Sequence, residues 1–199
     1  MQNGVLAPGL LIAAPPLGDP NFERTVVLLA MHGPRGALGF VINRAAELSL
    51  GEVLGLAGYG EPAIKAPNRV YVGGPVEPGS GWVITREPAR FDGVPGVIEV
   101  GDKLRVSSSR TAFDRLVREF EGDDAARKKC ESETFVVLGY SGWGPGQLEG
   151  EIAHGAWLPI RLEEEVVFDT EADERWNRAH ALLGITPFSG MGMRTVGEA

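Results

Sequence analysis

The sequence predicts an α+β fold in which a mixed β-sheet packs against several helices. Short apolar runs come in neighbouring pairs separated by glycine-rich turns, which is typical of hairpins. The 28 glycines and 14 prolines are spread along the 199 residues instead of forming one linker, and this favours many short strands joined by tight turns. Strands and helices do not alternate regularly, so a doubly wound parallel sheet is disfavoured. We find no internal repeat.

The first hairpin has the strongest strand signal. Thr25–Met31 and Ala37–Asn43 are almost continuously apolar and flank the turn His32–Gly36, which predicts a slightly long loop. Continuous apolar character indicates strands covered on both faces. The predicted strands in chain order are Leu10–Ala14, Thr25–Met31, Ala37–Asn43, Arg69–Val72, Trp82–Thr85, Val97–Val100, Lys103–Ser107, Thr134–Tyr140, Trp157–Ile160 and Val166–Phe168.

Two helices are predicted in the first two thirds of the chain. Ser49 and Glu52 have the spacing of a capping box, in which each side chain accepts the backbone N–H of the other residue, so a helix over Leu50–Ala57 follows. Ser109 opens a longer helix, in which apolar residues recur every three or four positions and form one buried face. The hydrophilic stretch Glu121–Glu133 has no such face, and we interpret it as a surface connection.

Two further helices are predicted towards the C-terminus. Pro145 suits the first position of a short helix, because its missing N–H has no partner there. The Thr170 hydroxyl can cap a final helix, which Gly184 ends. About four helices therefore pack outside the sheet. We expect residues 1–185 to form a single α+β domain and residues 186–199 to form a loosely packed tail.

Charge and composition disfavour several functional classes. The formal net charge is −8, and an acidic domain lacks the attraction that drives binding to a phosphate backbone, so we expect no direct contact with nucleic acid. No apolar run is long enough for a transmembrane helix, and the N-terminal apolar patch has no basic residues before it, so we expect no membrane partner and no signal peptide. Cys130 is the single cysteine, which excludes an internal disulfide. We therefore expect a cytoplasmic protein.

The glycine-rich run Gly139–Ile152 passes from a strand into a helix and is the most informative segment. It begins like the nucleophile elbow of serine hydrolases, with Ser141 after a strand, but Trp143 stands where the final glycine of G-x-S-x-G belongs. None of the three histidines has a recognisable place in a catalytic triad: His32, His154 and His180. We therefore predict no catalytic residue.

The same run has some features of an anion-binding loop. Gly142, Gly144 and Gly146 lie between a strand and a helix N-terminus, where backbone N–H groups bind anions well. However, the spacing is not G-x-G-x-x-G, Pro145 has no N–H to donate, and Glu149 would repel a phosphate. A phosphate or nucleotide site is therefore a minority interpretation.

We favour a structural role for this run. Its glycines permit positive φ and close packing, Trp143 fills part of the core, and Gln147 and Glu149 stabilise the helix start through its dipole. Glu151 and His154 have the spacing of a helical metal-ligand pair, but a di-metal site needs a second copy of that motif. We interpret them as a solvent-facing pair and predict no metal site.

Three other places give weaker signals. Asp19 precedes Pro20 between the first two strands, where an aspartate commonly caps a turn with its own side chain. The segment Gly73–Pro75 predicts a turn with exposed backbone amides. His32 follows an apolar strand and precedes a glycine turn, so we expect a hydrogen-bonded turn histidine. None of these is specific as a binding signal on its own.

Five segments carry a resemblance to a known family, and together they span nearly the whole chain. They are LLIAAPPLGDPNFERTVVLLAMH (10–32), GALGFVINR (36–44), YVGGPV (71–76), GYSGWGPGQLEGEIAHGAWL (139–158) and FDTEADERWNRAHALLGI (168–185). On these segments the chain resembles the YqgE/AlgH family, bacterial proteins whose biochemical function is uncharacterised, and the GW-x-x-GQLE core is the most specific part. The resemblance implies a mixed, mostly antiparallel sheet that curls partly into a barrel, with helices outside.

The resemblance implies no established enzyme activity, no catalytic residues and no cofactor. One branch of the family is described as regulating transcription for alginate synthesis. Nothing in this chain resembles a DNA-reading helix, so we interpret that role as an indirect effect. The chain departs from the family at Ala45, where many members have a proline, and this predicts a looser turn after Asn43. The family does not require His154.

Carried over to this sequence, the family motif marks eight positions as a candidate binding surface. If members share a ligand or a partner, some of these residues should gather on one surface; if they only determine the fold, they should be buried and bonded internally. The eight residues are Asp19, Pro20, Asn43, Gly73, Gly74, Trp143, Gln147 and Glu149.

The leading hypothesis is a non-enzymatic cytoplasmic protein that binds a protein partner, with an indirect effect on transcription. The alternative is a nucleotide- or phosphate-binding protein or enzyme with its site at Gly73–Pro75 and Gly142–Gln147. Direct binding of duplex DNA is a third and weaker hypothesis. The sequence leaves the oligomeric state open.

Overall fold

The computed structural model describes residues 6–59 and 70–184, so the predicted tail at 186–199 lies outside the described residues. No helix within the described ranges is long and apolar enough to span a membrane. The strands are β1 (Gly9–Ala13), β2 (Val26–Gly33), β3 (Gly36–Val41), β4 (Val70–Val72), β5 (Val76–Thr85), β6 (Ile98–Val100), β7 (Leu104–Ser107), β8 (Thr134–Trp143) and β9 (Trp157–Arg161). The helices are α1 (Leu50–Leu56), α2 (Arg110–Phe120), α3 (Asp124–Glu133), α4 (Gln147–Ala153) and α5 (Arg175–Leu182), with a 3₁₀-helix at Pro88–Phe91 and a π-helix at Glu165–Asp169.

These strands form one mixed, mostly antiparallel sheet, as the sequence predicts. The order is β6-β7-β5-β8-β3-β2-β1-β9, and each neighbouring pair on this path is antiparallel, whereas β4 pairs with β8 in parallel. The sheet curls partly around a central core but does not close, since β6 and β9 are its two ends in the described chain. The helices pack against it from the sides.

Strand β8 joins the two halves of this sheet. Its first part pairs with β5 over Thr134–Leu138, and its last part pairs with β3 over Ser141–Trp143. Between them lies Gly139, whose φ of +71° favours glycine. The sequence predicts that this strand ends at Tyr140, but it continues to Trp143 because β3 supplies hydrogen-bond partners for three more residues.

The sheet divides the apolar interior into three cores. The central core lies inside the curl and contains Phe40, Ile84 and Val137, together with side chains of α5 and of the π-helix. A second core lies between the sheet and helices α1, α2 and α3. The third core lies under α4 and contains Trp143 and Trp157. The glycine-rich run of the sequence therefore covers the third core.

The local signals near the N-terminus are confirmed in part. The capping box is present: the N–H of Glu52 donates to Ser49 Oγ at 3.2 Å, and the N–H of Ser49 donates to Glu52 Oε2 at 2.7 Å. The turn between β2 and β3 is tighter than predicted, because Gly33 pairs directly with Gly36. Gly36 has a φ of +117°, which a compact hairpin turn needs and only glycine adopts readily.

The stretch Glu121–Glu133 is not a plain surface connection, because most of it is helix α3. Asp123 caps this helix, since its Oδ1 accepts the N–H of Ala126 at 2.8 Å. Cys130 is the buried residue of α3. One buried side chain leaves no periodic apolar stripe in the sequence, so the hydrophobic pattern did not indicate a helix.

The segment before α5 also differs from the prediction. Val166–Phe168 is not a strand but the buried middle of the π-helix, and a short apolar run does not distinguish a strand from a buried helical turn. The Thr170 hydroxyl donates to the carbonyl of Glu165 at 3.0 Å. It therefore closes the π-helix instead of capping α5, which begins five residues later at Arg175.

Candidate functional site

The carboxylate of Glu151 on α4 is the centre of a polar cluster at the third core. Its Oε2 accepts the indole N–H of Trp143 at 2.9 Å and that of Trp157 at 2.7 Å. Its Oε1 accepts the side-chain N–H of Gln147 at 2.9 Å. We call these four residues the Glu151 cluster. The cluster joins the end of β8, helix α4 and the start of β9.

The glycine loop before α4 is held by the same cluster. Gln147 Oε1 accepts the backbone N–H of Gly144 at 3.0 Å, so the Gln147 amide bonds through both of its ends. The backbone N–H of Gln147 donates to the Gly144 carbonyl at 3.1 Å, and Gly146 has a φ of +74°. Helix α4 therefore begins at Gln147, and Pro145 lies in the preceding turn instead of at the first helical position.

Phe22 brings the loop between β1 and β2 against the Glu151 cluster. Its ring stacks on Trp143 with centroids 6.3 Å apart and meets the edge of Trp157 at 5.4 Å. Asp19 caps this loop as predicted, since its Oδ1 accepts the N–H of Asn21 at 2.8 Å. As a result, the exposed turn at Asp19–Glu23 lies beside the exposed start of α4.

His32 is hydrogen-bonded on both ring nitrogens. The backbone N–H of Leu6 donates to Nδ1 at 3.3 Å, and Nε2 lies 3.0 Å from Glu149 Oε1. Because Nδ1 accepts, Nε2 carries the proton and donates it to Glu149. The pKa of Glu149 is lowered, first because its own backbone N–H donates to the carboxylate and further because of His32. An exposed, ionised carboxylate therefore stands in the first turn of α4.

The side chain of Asn43 holds the start of β2. Its Oδ1 accepts the N–H of Val26 at 2.8 Å, and its Nδ2 donates to the carbonyl of Arg24 at 2.9 Å. Arg24 has a φ of +54°, which is unusual for a residue with a side chain. The side-chain bonds of Asn43 thus hold an irregular backbone turn in place.

Gly73 and Gly74 lie under β8, where both are buried. A Cβ on Gly73 would be 2.4 Å from the carbonyl oxygen of Gly139, and one on Gly74 would be 2.4 Å from Ser141 Oγ. The Gly73 carbonyl accepts both the N–H of Val41 at 2.8 Å and the hydroxyl of Ser141 at 3.2 Å. The backbone amides expected to be exposed here are therefore packed against β8. Ser141 is fully buried, which does not suit a nucleophile.

The comparison with known proteins decides the family. A family model described as AlgH-like (DUF179) matches residues 10–188 of the chain. The chain belongs to the AlgH-like family. The UPF0301 proteins of Anaeromyxobacter sp. (strain Fw109-5) and Myxococcus xanthus (strain DK1622) are 41% and 39% identical to it; the matches cover 92% of this chain and 90% and 93% of those proteins.

Solved structures share the AlgH-like fold. The solution structure of the AlgH protein from Pseudomonas aeruginosa is 33% identical with a TM-score of 0.70, and the match covers 94% of this chain and 93% of that one. The crystal structure of a Corynebacterium diphtheriae protein has a TM-score of 0.65 at 21% identity, covers 92% and 90%, and shows the fold alone. The resemblance stated from the sequence and its α+β fold are thereby confirmed.

In this AlgH-like chain, Glu151 and His154 do not form a solvent-facing pair. Glu151 is half-buried and bonded to the two tryptophans, and His154 Nδ1 lies 2.7 Å from the carbonyl of Gly150. No group of three His, Cys, Asp or Glu side chains that could hold a metal ion occurs in the described residues. The sequence pattern did not predict the Glu151 cluster, although the i, i+4 spacing of Gln147 and Glu151 between two tryptophans is a signal of such a contact.

Two concave sites in the described part of the chain lie away from the glycine loops. One, of about 430 Å³, lies between α1 and α2; the other, of about 380 Å³, lies beside the β2–β3 turn. Gly73–Pro75 and Gly142–Gln147 line neither of them. Of the eight candidate residues, Trp143 and Gln147 belong to the Glu151 cluster, and Glu149 lies on the same helix. Asp19 and Pro20 lie in the loop whose Phe22 packs against the two tryptophans of the cluster. The structure places the other three, Asn43, Gly73 and Gly74, in backbone contacts within the fold.

Proposed function

We propose that this AlgH-like protein acts by binding a protein partner through the face around α4, and that it performs no catalysis there. The face consists of the exposed residues of Asp19–Glu23, Gly144–Gln147 and Glu149, and we call it the α4 surface. One observation carries the proposal: the three polar donors around Glu151 all bond to its carboxylate, with distances of 2.7 to 2.9 Å. The polar groups of the cluster therefore bond to one another and hold the surface in one shape.

The charge of the α4 surface supports a partner with basic side chains. Asp19, Glu23 and Glu149 are exposed carboxylates on this face, in a chain whose formal net charge is −8. Complementary charge speeds association and suppresses wrong partners. Glycines 144 and 146 carry no side chain, so a partner can approach the backbone between the carboxylates.

The proposed setting is the bacterial cytoplasm. A single cysteine, buried in the second core, suits a compartment where thiols stay reduced. The acidic charge disfavours direct contact with DNA. Any effect on transcription would then pass through the bound partner, and we propose it as an indirect one.

Charge reversal on the α4 surface tests the proposal. The variant Glu23→Lys/Glu149→Lys changes two exposed carboxylates of the surface, and Glu47→Lys/Glu121→Lys makes the same charge change at exposed positions elsewhere. In pull-downs from native lysate at near-endogenous levels, we expect the wild type and the control variant to retain a common partner that the surface variant loses. Equal binding by all three proteins, or equal loss in both variants, would contradict the assignment.

The alternative small-molecule site at the glycine loops receives less support. The Gly73 N–H donates to the carbonyl of Leu138 at 2.7 Å, and its carbonyl already accepts two hydrogen bonds. The backbone N–H and carbonyl of Gly73 are therefore bonded within the fold and do not face a ligand. A thermal-shift screen with nucleotides and sugar phosphates addresses this alternative, which predicts a rise in melting temperature that Gln147→Ala abolishes.

A further inference from the structure

We propose that the cavity between α1 and α2 binds a small amphiphile with an apolar body and a single carboxylate. The cavity has a volume of about 430 Å³, which lies in the lower part of the roughly 300–1,000 Å³ range typical of small-molecule sites. It belongs to the second core, whereas the α4 surface covers the third core, at the other half of the sheet. The proposal therefore stands independently of the partner-binding function.

Apolar side chains from three elements form most of the cavity wall. Val53 and Leu56 come from α1, Phe113 from α2 and Leu138 from β8. Leu56 stands at the rim with 79% of its surface exposed. Leaving a large apolar side chain in water is unfavourable, and an apolar occupant would cover it. The wall thus suits an alkyl chain or a small ring.

The shape of the cavity depends on a glycine in β5. A Cβ on Gly81 would lie 2.9 Å from Cζ of Phe113, so any other residue would push the Phe113 ring away. With glycine there, the tip of the Phe113 ring points at the strand, and the adjoining residues Pro78–Ser80 line the cavity beside it. The space is therefore set by packing between β5 and α2.

Arg110 supplies the charged end of the site. Its side chain is 69% exposed, and its Nε is 3.9 Å from Asp114 Oδ1, which is a loose ion pair. Asp114 instead accepts a 2.8 Å hydrogen bond from the Tyr59 hydroxyl, while the Arg110 guanidinium lies 4.8 Å above the Tyr59 ring. The Arg110 side chain makes no hydrogen bond within the described residues, so its fork of N–H donors is open to a ligand carboxylate.

The neighbouring charges favour a ligand with one negative charge. Asp114 lies beside the Arg110 guanidinium and would repel a doubly charged phosphate more strongly than a carboxylate. Burial raises the pKa of the Tyr59 hydroxyl to about 12, so this group stays neutral beside Asp114 at neutral pH. One arginine facing an apolar wall thus matches a carboxylic acid with a medium-length chain.

Titration calorimetry of the full-length protein tests this assignment with three probes. Octanoate has both parts of the proposed ligand, octan-1-ol has the chain without the charge, and acetate has the charge without the chain. We expect the dissociation constant of octanoate to be well below that of acetate, which should be millimolar. Octan-1-ol should bind more weakly than octanoate. A protein that binds octanoate no better than acetate would overturn the proposal.

Variants then locate the binding. Arg110→Gln should weaken octanoate about tenfold, the usual loss for a hydrogen bond to a charged group, and leave octan-1-ol unchanged. Arg118→Gln, on the same helix and also exposed, is the matched control and should bind both probes like the wild type.

Ala57→Phe places a ring in the cavity mouth and should weaken the binding of both probes. If it does not fold, Leu56→Gln removes apolar wall from an exposed position and should do the same. Affinities that Arg110→Gln and the wall variants leave unchanged would place any binding elsewhere and overturn the assignment.

Discussion

The polar groups around Arg90 and those around Glu151 are built in opposite ways. The Arg90 side chain is 3% exposed and donates to both oxygens of Glu119 at 2.9 Å and to Glu133 at 3.2 Å. It also donates to the hydroxyls of Thr85 at 2.6 Å and Thr134 at 2.8 Å. These five residues, which we call the Arg90 cluster, join β5, β8, α2 and α3. The cluster is ionic, deep and assembled from distant parts of the chain.

The Glu151 cluster, by contrast, receives neutral donors and comes from one short segment. Two indoles and one amide surround its half-buried carboxylate, and all four residues lie between positions 143 and 157. The Arg90 cluster therefore fastens helices to the sheet, whereas the Glu151 cluster shapes the surface above it. A polar network close to a core therefore indicates function only where its outer side remains exposed.

Breaking the Arg90 cluster should have the largest effect. Arg90→Met leaves the carboxylates of Glu119 and Glu133 without their cation, and removing one partner of a buried ion pair costs about 3 kcal/mol or more in unfolding free energy. Urea denaturation followed by circular dichroism measures the loss. The matched variant Arg118→Met, at an exposed position of α2, should stay within about 0.5 kcal/mol of the wild type. Equal unfolding free energies for the two variants would show that the Arg90 cluster does not stabilise the fold.

Cys130, beside the Arg90 cluster, should be almost unreactive in the native protein. Burial raises the pKa of its thiol to about 12, and this outweighs the opposing effect of Arg90. At pH 8 the thiolate fraction is then on the order of 1,000-fold lower than in an unfolded chain. Alkylation by iodoacetamide, followed by mass spectrometry with and without urea, measures the ratio. Similar rates in both conditions would mean that the thiol is exposed.

Removing the acceptor of the Glu151 cluster should have an intermediate effect. Glu151→Ala leaves the indole N–H groups of Trp143 and Trp157 without a partner, at a cost of about 2–3 kcal/mol for unsatisfied, largely buried donors. Glu151→Gln keeps one carbonyl acceptor and should lose less, about 1 kcal/mol. Urea unfolding followed by tryptophan fluorescence reports on the same two rings. A Gln variant as damaged as the Ala variant would show that the charge of Glu151 is needed.

The contact of Glu149 with His32 should give the smallest effect, and one that depends on pH. Because the folded-state pKa of Glu149 lies below its ordinary value of 4.5, its contribution to stability is present above that value and is lost as the pH falls through the folded-state pKa. The stability difference between wild type and Glu149→Gln should therefore shrink as the pH falls below about 4.5, where the carboxylate becomes protonated. Urea unfolding at a series of pH values measures the difference, and a difference that grows as the pH falls below 4.5 would contradict the prediction.

The sequence was informative where structure depends on neighbouring residues. The capping box of Ser49 and Glu52, the turn capped by Asp19 and the placement of Trp143 in a core all followed from local chemistry. The Glu151 cluster was local as well, but the sequence pattern paired Glu151 with His154, three residues later, and not with Gln147, four residues earlier. It was the chemistry assigned to Glu151 that was wrong.

The rest depends on contacts that no short window of sequence contains. Helix α3 has one buried side chain. The helix is joined to the rest of the fold by Glu133, whose ion-pair partner Arg90 is more than 40 residues away in the sequence. The π-helix around Val167 has the composition of a strand, and only packing against the central core decides its form. The change of partners within β8 at Gly139 likewise requires two other strands to be in place.

The late position of β8 in the chain has a consequence for synthesis. Strands β3 and β5 leave the ribosome well before Thr134, yet for each of them β8 is the strand that pairs with one edge in the described chain. During that interval the nascent chain carries two open strand edges, which are sites for aggregation. A product truncated before residue 134 would keep both edges permanently, so interrupted translation should yield a species that depends on chaperones or proteases for its removal.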